Sequence, residues 1–246
     1  MTDKTLPRIL CLHGGGVNAT VFRLQCRTII SQLARSFRLV FLDGPYTSPA
    51  HADIVPVYGD MGPFYRWLDD ENGAEVVMGR CLAAMQHDEG SGAWVGVLGF
   101  SQGAKMAVSL LWAQQQQQQT QQEAWTDFKF GVLMAGSAPV VNLDERLARP
   151  RHVAEATASS LNFDDWPERP HGEHVVDVPT LHVHGLEDPG LERHRRLREL
   201  YCRPDRTRLV EWHGGHRLPI KTSDVQLVVS GIFEMARETG VFPAAA

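Results

Sequence analysis

The chain has 246 residues, 43% hydrophobic and 22% charged, the make-up of a globular protein with enough apolar side chains for a large core. Its 24 basic and 29 acidic residues leave a formal net charge of −5, and neither sign forms a long block, which argues against nucleic acid as a partner. No stretch reaches the roughly 18 apolar residues that span a bilayer; Cys11, Cys26, Cys81 and Cys202 form no C-x-x-C pair, so an unanchored cytoplasmic protein with reduced thiols is expected.

Residues 8–12 form an apolar run of strand length that passes into a Gly-rich loop and then a helix-period stretch over 19–36. A second run at 38–42 leads into a segment rich in Pro, Tyr and Gly over 45–67, and helical periodicity returns over 73–87. Runs at 93–99, 128–135, 179–184 and 207–212 then alternate with helical stretches over 102–119, 191–201 and 223–238, while 140–178 is polar and irregular. Parallel strands covered on both faces read as continuous apolar runs, and they need helical crossovers between them. The pattern predicts an α/β protein with one domain over 1–246, a mostly parallel central sheet flanked by helices on both faces, and substrate loops or a small lid at 45–67 and 140–178. The glutamine tract 114–119, extended by Gln121 and Gln122, is expected to carry its helix out into solvent, and the mixed-sign run 192–199 reads as a solvated helix face.

The chemistry concentrates at strand exits. Gly99-Phe100-Ser101-Gln102-Gly103 is a G-x-S-x-G between an apolar run and a helical stretch, where a sharp turn lifts the serine hydroxyl out of the sheet and leaves no room for a side chain on either glycine. Serine is a poor nucleophile until a base takes its proton, so Ser101 requires an acid and a histidine downstream. Asp188, in Gly185-Leu186-Glu187-Asp188-Pro189, fits the acid, with Glu187 as competitor; His216, in His213-Gly214-Gly215-His216, fits the general base, with His213 as competitor. The loop His13-Gly14-Gly15-Gly16 after the first strand supplies a candidate oxyanion-hole N–H at Gly15, with Gly16 second, and the other donor is the N–H of Gln102. A phosphate-binding loop is the weaker reading, because no G-x-G-x-x-G precedes the helix and no Lys-Ser/Thr pair follows the glycines as in a P-loop. No metal is expected, because the pairs His182/His184, His171/His174 and His213/His216 have no carboxylate or Cys at ligand spacing to complete a set. Tyr46, Tyr58, Phe64 and Trp67, carried on the loop beside the strand exits, are expected to frame an acyl pocket.

With these residues in place the chain resembles the fungal FSH family of small serine hydrolases within the α/β-hydrolases, relatives of the thioesterases that release polyketides in lovastatin and citrinin biosynthesis. Beyond the three reactive residues the resemblance rests on Ile9-Leu10-Cys11-Leu12-His13-Gly14 with Asn18 and Phe22, on Asp43-Gly44-Pro45-Tyr46, on Tyr58 with Gly62-Pro63-Phe64-Tyr65-Arg66-Trp67, and on His216 with Pro219. It covers nearly the whole chain; the glutamine tract departs from it. The resemblance implies the α/β-hydrolase fold and hydrolysis of a small-molecule carboxylic ester or thioester through an acyl-enzyme, with no cofactor. A polyketide chain held on the acyl carrier domain of a synthase is the sharper substrate it implies, and a broad short-chain carboxylesterase the plainer one. A ligand-binding protein that keeps the scaffold without catalysis is the reading from another class, and the presence of all three reactive residues speaks against it.

Overall fold

The computed structural model describes residues 3–70, 74–157, 160 and 162–243. Gly73, the expected start of one helix, lies outside the described residues, as do positions 158, 159 and 161 of the irregular segment 140–178 and both ends of the 1–246 span. In chain order the first half runs β1 (Arg8–Leu12), α1 (Ala19–Gln25), α2 (Arg27–Leu33), β2 (Arg38–Leu42), β3 (Tyr46–Ser48), α3 (Val55–Tyr58), β4 (Phe64–Arg66), α4 (Ala74–His87), β5 (Trp94–Phe100) and α5 (Gln102–Gln119). There follow β6 (Phe130–Met134), β7 (Val141–Asn142), β8 (Ala154–Glu155), β9 (Thr180–Gly185), α6 (Leu191–Tyr201), β10 (Thr207–Trp212) and α7 (Thr222–Glu238).

Six of the strands form one sheet in the order β10-β9-β6-β5-β1-β2, with every neighbouring pair parallel. Alternation divides the side chains between two cores. Ile9, Cys11, Phe130 and Val132 pack with Val21, Phe22, Ile29, Val228 and Ile232 of α1, α2 and α7. Leu10, Leu12 and Leu133 pack with Val77, Met78, Val108, Leu111 and Leu197 of α4, α5 and α6. The sheet is thus covered on both faces, as its apolar runs require. From β1 the chain moves outward to β2 and later returns to place β5 on the other side of β1, so the strand order reverses between β1 and β5. At such a reversal the loops leaving the two strands diverge and open a crevice, the ordinary ligand site of a doubly wound sheet.

Several boundaries differ from the sequence reading for identifiable reasons. The expected helix over 19–36 is two helices, because Cys26, with φ −80° and ψ 3°, closes the first and begins the second. The run at 128–135 shortens to Phe130–Met134: the Phe128 N–H is bonded by the Gln114 side chain, and Ala135 leaves strand geometry at φ 49°. The segment 45–67 contains an antiparallel pair, β3 with β4, and 140–178 contains a short parallel pair, β7 with β8.

The glutamine tract corrects the expectation that it extends into solvent. Gln114, Gln115 and Gln117 are buried, and each closes a polar gap in the backbone packed against α5. Gln114 donates to Phe128 O at 3.0 Å while its Oε1 accepts from Phe128 N at 2.7 Å and Thr126 Oγ1 at 2.9 Å. Gln115 donates to Val175 O and accepts from Asp177 N, and Gln117 donates to Asp144 and accepts from Trp125 N. Gln118, Gln119 and Gln121, toward the far end, are exposed. The run 192–199 is likewise amphipathic: Arg196 pairs with Glu192 on the surface, while His194 and Leu197 are buried. All four cysteines are buried and unpaired, and no helix among the described residues is long and apolar enough to cross a membrane.

Candidate active site

Ser101 stands between β5 and α5 at φ 54° and ψ −118°, a left-handed backbone that a side chain tolerates only under tertiary constraint. The constraint is close backbone contact. A Cβ on Gly99 would lie 2.2 Å from Gly103 O, and one on Gly103 would lie 2.1 Å from Leu12 O, so the helix start is wedged against the exit of β1. Ser101 N–H donates to Met134 O at 2.9 Å, and its own carbonyl accepts from Ala104 and Lys105 of the first helical turn. The hydroxyl is therefore delivered to the crevice by backbone alone.

The exits of β9 and β10 bring the other two groups to it. A Cβ on Gly185 would sit 2.4 Å from Gly214 O, and Leu186 N and Glu187 N donate to Trp212 O and Gly214 O, each at 3.0 Å. These contacts press the acid loop onto the histidine loop. His216 Nδ1 lies 2.7 Å from Asp188 Oδ2, and His216 Nε2 lies 2.9 Å from Ser101 Oγ. The second carboxylate oxygen of Asp188 accepts from Gly190 N at 2.8 Å, and Phe100 packs on the His216 ring at 5.1 Å between centroids. The side chain of Asp188 is 1% exposed, that of His216 28%. Glu187 and His213, the competitors by sequence, are exposed, and neither enters this chain of hydrogen bonds. A hydroxyl held against an imidazole whose far nitrogen donates to a buried carboxylate can lose its proton and attack a carbonyl.

The loop after β1 faces this group. A Cβ on Gly14 would be 3.5 Å from Ser101 Cβ, and one on Gly15 3.3 Å from Gln102 Oε1. Among the described residues the N–H groups of Gly15 and Gln102 have no protein acceptor, whereas the Gly16 N–H is taken by Tyr65 O at 2.8 Å. The loop is set by its neighbours. His13 is buried, donates through Nδ1 to Gly14 O at 2.7 Å and accepts from Gly44 N through Nε2 at 2.9 Å; burial lowers its pKa, which keeps the ring neutral for both roles. Asn18 caps α1 through Val21 N and donates to Met61 O and Pro63 O, while Asp43 accepts from Ala19 N. Trp67 donates from its indole to His13 O at 2.7 Å and from its backbone N–H to Gln102 Oε1 at 2.8 Å. The Gly62–Trp67 segment is thus a strap that ties the β1 loop to the start of α5.

Beside Ser101 and His216 lies a cleft of about 350 Å³ lined by Gly14, Gly15, Val17, Ile54, Val57, Tyr58, Phe100, Leu218 and Ile220, with the exposed side chains of Arg27 and Arg217 also along it. Of the four aromatic residues expected to frame a pocket, Tyr58 lines this cleft and Tyr46, Phe64 and Trp67 do not. Trp67 is fully buried as the strap's anchor, Phe64 is buried in the core that α1, α2 and α7 cover, and Tyr46 is half-buried on β3. The aliphatic wall was missed. Val57 and Ile220 are 72% and 51% exposed, an excess of apolar surface beside a motif that hydropathy alone reads as loop.

Behind Asp188 the rings of His182, His184, His194 and His216 follow one another at 5.9, 5.7 and 6.2 Å. Burial, and then the neighbouring imidazole, push His184 down to about 3, and burial also holds His182 and His194 below the ordinary histidine value. Among the described residues one group of three could ligate a metal, Asp188 with His194 and His216. Of the histidine pairs weighed from sequence, this group takes His216 alone and joins it to Asp188 and His194.

Solved structures share this architecture. Acyl-protein thioesterase 2 of Zea mays aligns with TM-score 0.53 at 15% identity over 94% of each chain, and a Bacillus cereus carboxylesterase with TM-score 0.51 at 13% identity over 95% of this chain and 91% of that one. At such identity the likeness is one of fold, the α/β-hydrolase architecture. Residues 1–228 match the serine hydrolase (FSH1) family, and the chain belongs to that family. Similar over nearly their whole lengths are esterase claE of Penicillium crustosum, 44% identical over 96% of this chain and 95% of that one, and esterase dbaE of Emericella nidulans, 45% identical over 96% and 92%. Esterase citA of Monascus ruber is 43% identical over 98% of this chain and 97% of the relative. The chain is a serine hydrolase of the esterase type.

Proposed function

We propose that the protein cleaves carboxylic thioesters or esters through an acyl-enzyme on Ser101, and that its substrate is an apolar acyl chain of polyketide type presented on a carrier protein. The observation that carries this reading is the continuous hydrogen-bonded path from Ser101 through His216 to Asp188 at the head of an apolar cleft. His216 takes the Ser101 proton through Nε2 as the oxygen attacks the acyl carbonyl, while Asp188 stabilises the imidazolium through Nδ1–H. The carbonyl oxygen, now an oxyanion, is met by the N–H groups of Gly15 and Gln102, each such donor contributing about 3 kcal/mol to the transition state. His216 then passes its proton to the departing thiol or alcohol. A water molecule, deprotonated by the same nitrogen, releases the acid and restores the hydroxyl.

The acyl chain lies along Val17, Ile54, Tyr58, Leu218 and Ile220. Delivery by a carrier is supported by the family resemblance and by the opening of the cleft to solvent at Val57 and Ile220. Four unpaired cysteines support action in the reducing cytosol. Two measurements test the reading. A fluorophosphonate probe should label the wild-type protein and not Ser101→Ala; absence of labelling in the wild type defeats catalysis by Ser101. Across a series of acyl thioesters and oxygen esters, kcat/KM should rise about fourfold per added methylene, from roughly 0.8 kcal/mol per buried CH₂, until the cleft is filled. A flat series, or no turnover of carrier-bound thioesters, would defeat the substrate assignment alone.

A further inference from the structure

We infer that Asp188, His194 and His216 form an inhibitory binding site for Zn²⁺, and that the bound ion stops turnover by moving the proton of His216 to the wrong ring nitrogen. The effect on turnover rests on the roles proposed above for Ser101, His216 and Asp188; binding of the ion does not.

The ligand atoms are already gathered. One atom from each residue lies within 4.8 Å of the other two, with Asp188 Oδ2 at 2.7 Å from His216 Nδ1 and 3.9 Å from His194 Nδ1. Zinc bonds of about 2.0–2.2 Å place tetrahedral ligands roughly 3.3 Å apart, so shifts of about 1 Å bring all three into the first coordination sphere. Two imidazoles and a carboxylate leave a fourth position for water, a donor set suited to this ion.

His194 supplies the independent observation. It is 2% exposed, and its Nδ1 faces Asp188 with no hydrogen-bond partner among the described residues. A buried polar atom without a partner is uncommon and costs stability. No step of the acyl-transfer cycle uses His194, and Asp188 is already satisfied by Gly190 N and His216 Nδ1. A cation between the three groups gives the His194 lone pair its partner.

The consequence follows from the tautomer. A neutral imidazole has one N–H. In the working arrangement that proton is on Nδ1, pointing at Asp188, and Nε2 offers its lone pair to Ser101. When the metal takes the Nδ1 lone pair the same single proton must reside on Nε2, and no proton is gained or lost by the ring. Nε2–H cannot accept the serine proton, so Ser101 remains a hydroxyl.

Calorimetric titration of ZnCl₂ into the full-length Ser101→Ala protein should show one ion bound per chain, and the same titration of Ser101→Ala combined with His194→Leu or His194→Gln should show that binding lost. In wild type, Zn²⁺ should abolish hydrolysis of a chromogenic acyl ester and EDTA should restore it. His194→Leu and His194→Gln should keep activity within about twofold and lose Zn²⁺ sensitivity at least tenfold. Two replacements are used because one retains a polar side chain at the buried position and the other does not. Equal inhibition of wild type and both variants would place the ion elsewhere and overturn the proposal, as would an absence of saturable binding. An active, probe-labelled enzyme indifferent to Zn²⁺ sinks this site alone. Binding to Ser101→Ala that depends on His194 upholds the site even if the hydrolase reading fails.

Discussion

At the N-terminal end of α5 the fit is made by backbone: Gly99, Gly103 and the Leu12 carbonyl approach so closely that no side chain enters, and the forced turn holds Ser101 at positive φ. At the C-terminal end the same helix is held by side chains, the amides of Gln114, Gln115 and Gln117 bonding backbone groups of Trp125, Phe128, Val175 and Asp177 and the Asp144 carboxylate. The first arrangement points the serine hydroxyl at His216 Nε2 and leaves no room for a side chain on either glycine. The second spreads its hold over several bonds, each replaceable at moderate cost. One helix thus carries a rigid reactive end and a distributed anchoring end.

The comparison breaks most readily at the reactive end. Gly103→Ala sets a Cβ 2.1 Å from Leu12 O, a backbone atom that cannot yield without moving β1. The expected result is a loss of about 4 kcal/mol or more in a denaturant titration together with loss of probe labelling. Unchanged stability would show that the wedge is not what holds the turn.

Acid extends the contrast between satisfied and unsatisfied groups to the histidines of the neighbouring strand. His184, on β9, has no hydrogen-bond partner on either ring nitrogen among the described residues and is pushed down to about 3, chiefly by burial and then by His194. In the unfolded chain it titrates near the ordinary value of about 6.5, so below that pH the unfolded state binds the proton first and stability falls with pH until the folded value is reached. Between pH 7 and pH 4 this one group should cost about 3 kcal/mol. Thermal unfolding of His184→Leu across that range should show a shallower decline than wild type; parallel curves would contradict the assignment.

At the anchoring end, Gln114→Leu strands the Phe128 N–H and carbonyl and the Thr126 hydroxyl. A loss of about 2 kcal/mol is expected with kcat unchanged, since no reactive group is touched. A large fall in kcat would mean that the two ends are coupled. Gln119→Ala, on the exposed tip, should change stability by less than about 0.5 kcal/mol, the smallest effect of the series.

The sequence by itself determined the class of fold and pointed to Ser101, His216 and Asp188, which the structure joins by hydrogen bonds. Apolar runs bounded by glycine mark buried parallel strands because each must be covered on both faces, and β1, β2, β10, α5 and α6 keep the limits read from it. Ser101 was legible because the turn demands glycine on both sides, and Asp188 and His216 because they follow strand exits. The tertiary structure alone separates the Gly15 N–H from the Gly16 N–H, since a contact distant in sequence, Tyr65 O, occupies the second. It also made Trp67 an anchor for the His13 loop, turned the glutamine tract inward and set His194 behind Asp188. Local pattern reports whether a residue is apolar, and which side of a helix or strand it shares with others. Which polar atom it meets from another element depends on how the elements pack, and no periodicity encodes that.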